Sequence, residues 1–143
     1  GRYTSLALDQ SGYAHISYRY YDPVLSYMLK YAYQDAAGWH LQTAISGGNL
    51  GRFSSLALAP GGFAYISHYE MGNHDLKFTF QDAGGWHTLT LDSLGFTGSD
   101  GSLALDGGGN PRISYHASLP CYQLRYISFT PGGRRFFLPV VNK

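Results

Sequence analysis

Four residues, Ser-Leu-Ala-Leu, recur unchanged at positions 5–8, 55–58 and 102–105, and each copy opens a stretch of one design: SLALDQSGYAHISY, SLALAPGGFAYISH and SLALDGGGNPRISY. Each stretch sets two short alternating runs on either side of a glycine-bearing turn, the mark of a β-hairpin. A chain that writes one hairpin three times builds its core by stacking equivalent units, because a single unit of this size cannot bury its own apolar face.

The period is about fifty residues and its landmarks keep step. Ser5, Ser55 and Ser102 each lie 11 residues before Ile16, Ile66 and Ile113. Leu29, Leu76 and Leu124 each lie 10 before Trp39, Trp86 and Arg134, and both tryptophans lie 16 before the serine of the next repeat. Only the distance from Ile to Leu varies: 13, then 10, then 11 residues. Length variation is therefore expected in one loop per repeat, RYYDPVLSY (Arg19 to Tyr27), YEMGNHD (Tyr69 to Asp75) and HASLPCYQ (His116 to Gln123).

Each period reads as four strands, in the first repeat SLALD, YAHISYRY, LKYAYQ and WHLQTAI. Gly12, Gly62 and Gly109 suit the left-handed position that closes a type I turn with a bulge. Gly38, Gly85 and Gly133 mark the turn before the fourth strand, where Asp35 and Asp82 are turn initiators through side-chain to backbone hydrogen bonds. The expected fold is all-β, a β-propeller segment of three four-stranded antiparallel blades in one repeat domain, with blades at 1–50, 51–97 and 98–143. A twelve-stranded β-sandwich accounts for the strands but not for the strict spacing. The SLAL strand offers small Ser and Ala on one face and Leu on the other, which suits crowding beside a central axis, so it is placed innermost. The fourth strand, with Trp39 and Trp86, is placed outermost.

At 143 residues the chain has the length of one domain. Its charges nearly cancel, ten Lys and Arg against nine Asp and Glu, and no basic run is present to grip a phosphate backbone, so nucleic acid is not an expected partner. No apolar run approaches membrane-spanning length, and no secretory segment precedes the first strand. Cys121, alone, forms neither an internal disulfide nor a cysteine metal cluster, and no cofactor fingerprint occurs. Position 1 is Gly, not Met, which suggests a processed, trimmed or partial chain.

Three blades make an open arc, and its two outer faces are expected to be as apolar as the internal seams, which a free chain would expose. Two arcs joined head to tail close a six-bladed ring, the contact between copies repeating the contact between neighbouring blades. The expected partner is thus a second copy of the chain, a homodimer. The competing account is a fragment of a longer propeller.

The repeat SLALD..G..HISY, followed by LKYAY and GW, resembles tandem repeats of bacterial propeller proteins, over nearly the whole chain. That resemblance implies the propeller fold and an extracellular or cell-surface setting. A weaker likeness runs to small fucose-binding lectins whose short chains assemble into six-bladed propellers with ligand pockets between blades. Those blades also carry an aromatic strand, a glycine turn and Trp, as in Gly38-Trp39 and Gly85-Trp86. The lectins hold sugar with an Arg and a Glu, where this chain has Ser17, Ser67 and Ser114 or Lys30, Lys77 and Arg125; the resemblance does not carry fucose recognition with it. The turns LALDQSG and LALDGGG resemble sialidase Asp boxes, but Ala59 replaces the Asp of the middle copy.

The six histidines show no i, i+2 strand pair or i, i+4 helical pair, so no metal site is expected, although ring closure would bring His68 and His116 nearer. Hydrolysis of a glycoside needs two carboxylates flanking the sugar, and Asp22, Glu70 and Asp75 are the candidates, all on the variable loops. No strand or turn context singles them out, so a non-catalytic binding module is expected and a glycoside-processing enzyme or a structural fragment is the alternative. The loops on one face of a rigid scaffold are where recognition resides. Tyr20, Tyr21, Tyr69 and Tyr122 supply flat apolar rings, while Arg19, Asp22, Glu70, Asn73, His74, His116 and Gln123 supply directional polar groups, a combination suited to carbohydrate and equally to peptide.

Overall fold

The computed structural model describes residues 1–119 and 122–130, together with the backbone of 135–139. Gly133, Arg134 and Cys121 lie outside the described residues. The first sheet contains β1 (Arg2–Leu8), β2 (Ala14–Asp22), β3 (Ser26–Asp35) and β4 (Gly38–Ile45). The second contains β5 (Arg52–Leu58), β6 (Ala64–Glu70), β7 (Asp75–Asp82) and β8 (Gly85–Asp92), and the third β9 (Thr97–Leu105), β10 (Pro111–Ala117), β11 (Gln123–Phe129) and β12 (Arg135–Pro139). Each is an antiparallel meander of sequence neighbours. No helix among the described residues is long and apolar enough to cross a membrane.

The sheets are equivalent row by row. Leu6 pairs with Ile16, Ile16 with Ala32 and Ala32 with Leu41; the second sheet repeats the row as Leu56, Ile66, Thr79 and Thr88, and the third opens it as Leu103, Ile113 and Ile127. The first hairpin turn has the chemistry its sequence implies. The Asp9 carboxylate accepts from the Ser11 and Tyr13 N–H groups at 2.8 and 2.9 Å, and Gly12 closes the turn at φ 83°. Asp106 does the same for Gly108 and Asn110, while the middle turn, with Ala59, relies on backbone bonds to Gly62 and Phe63.

Two apolar seams hold the sheets together. Leu29, Tyr31 and Ala44 of the first sheet meet Leu56, Ala64 and Ile66 of the second, with the Trp86 ring edge-on to Tyr31 at 5.3 Å. Leu76, Phe78 and Leu91 of the second meet Leu103, Ile113, Ile127 and Phe129 of the third. Burying each such side chain is worth about 1.5–3 kcal/mol. Along the inner strands one polar bond recurs at each seam: Ser5 Oγ accepts from the Leu56 N–H at 3.0 Å, and Ser55 Oγ from the Leu103 N–H at 2.9 Å. The SLAL strands are therefore neighbours along the inner edge, as expected.

The flanks differ from the seams. Leu6 is 62% exposed where its equivalents Leu56 and Leu103 are 6% and 7%, and Leu8, Trp39 and Leu41 lie open beside it. At the other end Leu124 is 50% exposed where Leu29 and Leu76 are fully buried. The expectation of two equally apolar flanks needs correction at this second face. Arg112, Tyr126 and Ser128 stand there at the register positions of Tyr65, Phe78 and Phe80, so on β10 and β11 this face is more polar than the internal seams.

The hairpins between second and third strands share a face with the connections between sheets. Tyr27 bridges Asn49, Met71 N–H donates to Asn49 O, Thr97 N–H to His74 O, and Ser118 N–H to Phe96 O. At the inner edge of this face each sheet carries a non-glycine residue with positive φ at one equivalent place, Tyr3 (54°), Phe53 (50°) and Asp100 (51°).

Candidate functional site

The hairpin face is where the sequence-derived candidates gather, but much of what reads as loop is strand. β2 runs on to Asp22 and β3 resumes at Ser26, with Tyr21 opposite Tyr27, so only residues 23–25 form the first turn. The extra length of the first repeat goes into longer strands, and it lifts Tyr20 and Tyr21 above the neighbouring sheets. Both rings are exposed, and Tyr21 packs on Tyr27 with ring centres 4.9 Å apart.

The carboxylates of this face hold its backbone. Asp22 accepts from the Val24 and Leu25 N–H groups at 2.9 Å, and these two bonds keep its carboxyl below the usual range. Glu70 is buried and accepts from the Gly72 and Asn73 N–H groups. Asp75, also buried, pairs with Lys77 at 2.9 Å. The expectation that these carboxylates lie on loops is thus corrected: Asp22 closes β2, Glu70 closes β6 and Asp75 opens β7, and the short turn after β6 folds back on Glu70. Among the described residues no cluster of His, Cys, Asp and Glu could hold a metal ion.

The remaining candidates fall into two groups. The Tyr69 hydroxyl meets His74 Nδ1, and the His74 ring rests 4.0 Å from Phe96, while Asn73 is exposed at the tip. In the third sheet His116 bonds Ser99 Oγ at 3.1 Å and stacks on the exposed Tyr122, whose ring centre is 5.6 Å away and nearly parallel. Gln123 Oε1 accepts from Arg125 Nε at 3.4 Å. Ser17 and Ser67 are fully buried, so these strand positions present nothing to a ligand.

Arg19 is the candidate with the most unusual surroundings. Only 4% exposed, it donates through Nε to Leu50 O at 3.1 Å and through Nη2 to Asn49 Oδ1, and its guanidinium lies 3.4 Å from the centre of the Tyr27 ring. Sequence reasoning missed its companions Arg2, Tyr3, Tyr27 and Arg52. Arg2 is the register partner of Arg19, and the Arg19 and Arg52 guanidinium carbons each lie 6.0 Å from the Tyr3 ring centre. Burial, and then the Arg52 charge, push the Arg19 pKa down. The available signal was the Gly-Arg dipeptide repeated at Gly1-Arg2 and Gly51-Arg52. Gly1, Arg2, Arg19, Tyr20, Tyr21 and Tyr27 line an open cleft of about 360 Å³. A second cleft, of about 560 Å³, opens on the opposite face between the first turns of the three sheets, where Asp9 and Asp106 are already engaged.

Wedge-like four-stranded meanders joined along their first strands, with loops and connections on one face, define a β-propeller architecture. Solved structures of the same architecture are similar to the chain. A fucose lectin from Kordia zhangzhouensis, solved with methyl-fucoside, shares 18% identity at a TM-score of 0.64, over 94% of this chain and 96% of the lectin. A xylan beta-1,4-xylosidase from Bacillus halodurans C-125 shares 15% identity at a TM-score of 0.63, over 96% of this chain and 33% of the xylosidase. No family model and no curated protein matches the chain. At such identities the likeness establishes the fold.

Proposed function

We propose that the protein is a non-catalytic carbohydrate-binding propeller whose ligands sit on the hairpin face, and that a second copy completes a six-bladed ring. The observation that carries the binding reading is the pairing of exposed rings (Tyr20, Tyr21, Tyr122) with fixed polar groups on that one face. The likeness to a lectin of nearly the same chain length supports the choice of carbohydrate over peptide. Sugar rings present apolar faces to aromatic side chains and hydroxyls to planar donors and acceptors, which is the chemistry gathered here. Repeated weak sites on a rigid ring gain avidity for clustered ligands.

What the seams contain and the flanks lack supports the ring. Ser102 Oγ stands exposed at the position from which Ser5 and Ser55 accept an N–H of the next inner strand, and Leu6, the equivalent of those donors, faces outward on the opposite flank. Head-to-tail pairing of two copies joins these halves and covers Leu6, Leu8 and Leu124. A glycan array probed with the purified protein tests the binding reading: hits concentrated in a few related glycans support it, and a blank array from a protein of verified dimeric mass overturns it.

The xylosidase likeness favours a second reading, glycoside processing with Glu70 or Asp75 as acid or base. Turnover of any member of a broad panel of chromogenic glycosides, lost in Glu70→Gln or Asp75→Asn, would establish that reading. Inertness across the panel removes it.

A further inference from the structure

We propose that the cleft walled by Arg2, Arg19, Tyr20, Tyr21 and Tyr27 recognises the acidic group of a charged saccharide, a carboxylate or a sulfate ester. Its class as a saccharide rests on the carbohydrate-binding reading above; its charge rests on the arginines alone.

Three guanidinium groups converge here without a counter-charge. Among the described residues the ion pairs of arginine are Arg112 with Asp106 and Arg125 with Asp92, and no carboxylate lies within 4.0 Å of Arg2, Arg19 or Arg52. The loop carboxylates that stand nearest in sequence, Asp22 and Glu70, are turned onto their own backbones. Holding like charges together at a partly buried site is unfavourable unless an anion joins them, and burial of an unpaired charge is more so. Arg52, behind Tyr3, adds to the positive charge beside Arg19, and its own Nε is buried with no hydrogen-bond partner.

The geometry fits a forked anion. Arg19 spends two of its five N–H donors on Leu50 and Asn49. Tyr27 stacks on one guanidinium face, which fixes the plane of the fork while its remaining edge borders the cleft. Arg2 is exposed on the cleft's inner wall and is free to swing onto a second oxygen. Carboxylate and sulfate both accept two parallel N–H bonds from such a fork. A cleft of about 360 Å³ has room for one sugar ring, and the exposed faces of Tyr20 and Tyr21 are placed to cover it.

The test is an NMR titration of the full chain at low salt, following backbone amides and arginine Nε–H signals. Four compounds serve as probes: methyl β-glucuronide, glucose 6-sulfate, neutral methyl β-glucoside and sodium sulfate. The expected result is that one of the two acidic sugars binds at least tenfold more tightly than the neutral sugar, shifts the Arg19 Nε–H signal, and loses tenfold or more in affinity in Arg2→Gln. Arg112→Gln, on the third sheet, leaves binding unchanged. Preference for glucuronide or for the sulfate ester assigns the anion. Equal binding of neutral and acidic sugars, indifferent to Arg2→Gln, overturns the charge assignment while the lectin reading survives. Sodium sulfate binding as tightly as either acidic sugar overturns the saccharide assignment, and silence from all four probes overturns the site as a whole. Arg2 is exposed, so the variant is expected to fold; an unchanged amide spectrum verifies this before the titration is read.

Discussion

His68 is neutral in the folded chain because it is sealed in the second sheet. Nδ1 accepts from the Gly51 N–H, which leaves the proton on Nε2 to be donated to Thr79 Oγ1 at 2.9 Å. Burial lowers its pKa to about 3, with the Lys77 charge a smaller cause in the same direction. The unfolded chain therefore binds a proton between about pH 6.5 and 3 that the folded chain refuses, so this group makes stability fall as pH drops through that window. The expected slope is up to about 1.4 kcal/mol per pH unit below pH 6, read from urea denaturation at pH 7, 5.5 and 4.5, and His68→Gln flattens it. A second buried polar group is held from across a seam. The Asp92 carboxylate accepts from Tyr115 Oη and from Arg125 Nη1, both at 2.8 Å, at the seam between the second and third sheets. Asp92→Asn leaves Arg125 without its charge partner and is expected to cost about 3–5 kcal/mol in the same assay. Little of this was readable in the sequence. The repeat aligns His68 with Tyr18 and Tyr115, which says that a ring is wanted there but not that it is sealed. Arg125 invites comparison with a sugar-binding position, and only the fold shows that Asp92 has claimed it.

At the scale of elements, the expected strands and turns follow from spacing and glycine placement, because both are local. Gly12, Gly62 and Gly109 take the left-handed conformation that the turn type requires. The hairpin face was harder to read. An insertion between Ile16 and Leu29 reads as loop, yet the paired tyrosines Tyr21 and Tyr27 carry the sheet outward, since cross-strand aromatic pairs favour continued strand. The burial of Glu70, a candidate by sequence, was illegible for a related reason: a charged residue at a strand end signals solvent unless the turn beyond it is short enough to donate back. Gly98 shows how closely elements approach. A Cβ there would lie 2.8 Å from the Leu76 Cα, and φ is 103°. Gly98→Ala is expected to destabilise by about 2–4 kcal/mol, from strain added to backbone displacement, whereas Gly107→Ala, on an open turn with nothing within 4 Å, changes the denaturation midpoint little.

At the scale of the molecule, the periodic sequence foretold three blades of one fold, since stacked repeats need only nearest neighbours to be specified. It did not foretell the polar residues on the outer face of β10 and β11, because the polarity of a face depends on which register position each residue takes. Closure makes a definite prediction. Sedimentation at micromolar concentration is expected to give twice the 15.7 kDa chain mass, and Leu6→Glu or Leu124→Glu is expected to return the single-chain mass while leaving the far-UV spectrum intact. Ser102→Ala, which removes the recurring inner-strand bond at both seams between copies, is expected to weaken pairing by roughly 2 kcal/mol, or about thirtyfold in the dissociation constant. A lone chain mass for the parent protein at high concentration would sink the ring.

The close approach of Gly98 to Leu76 has a wider consequence. The second and third sheets come together there with no room for a Cβ between the glycine and Leu76. Exposed hairpin residues can therefore be exchanged wholesale without altering how one sheet packs on the next. An engineer who wanted a different angle between these two sheets would have to begin at that glycine.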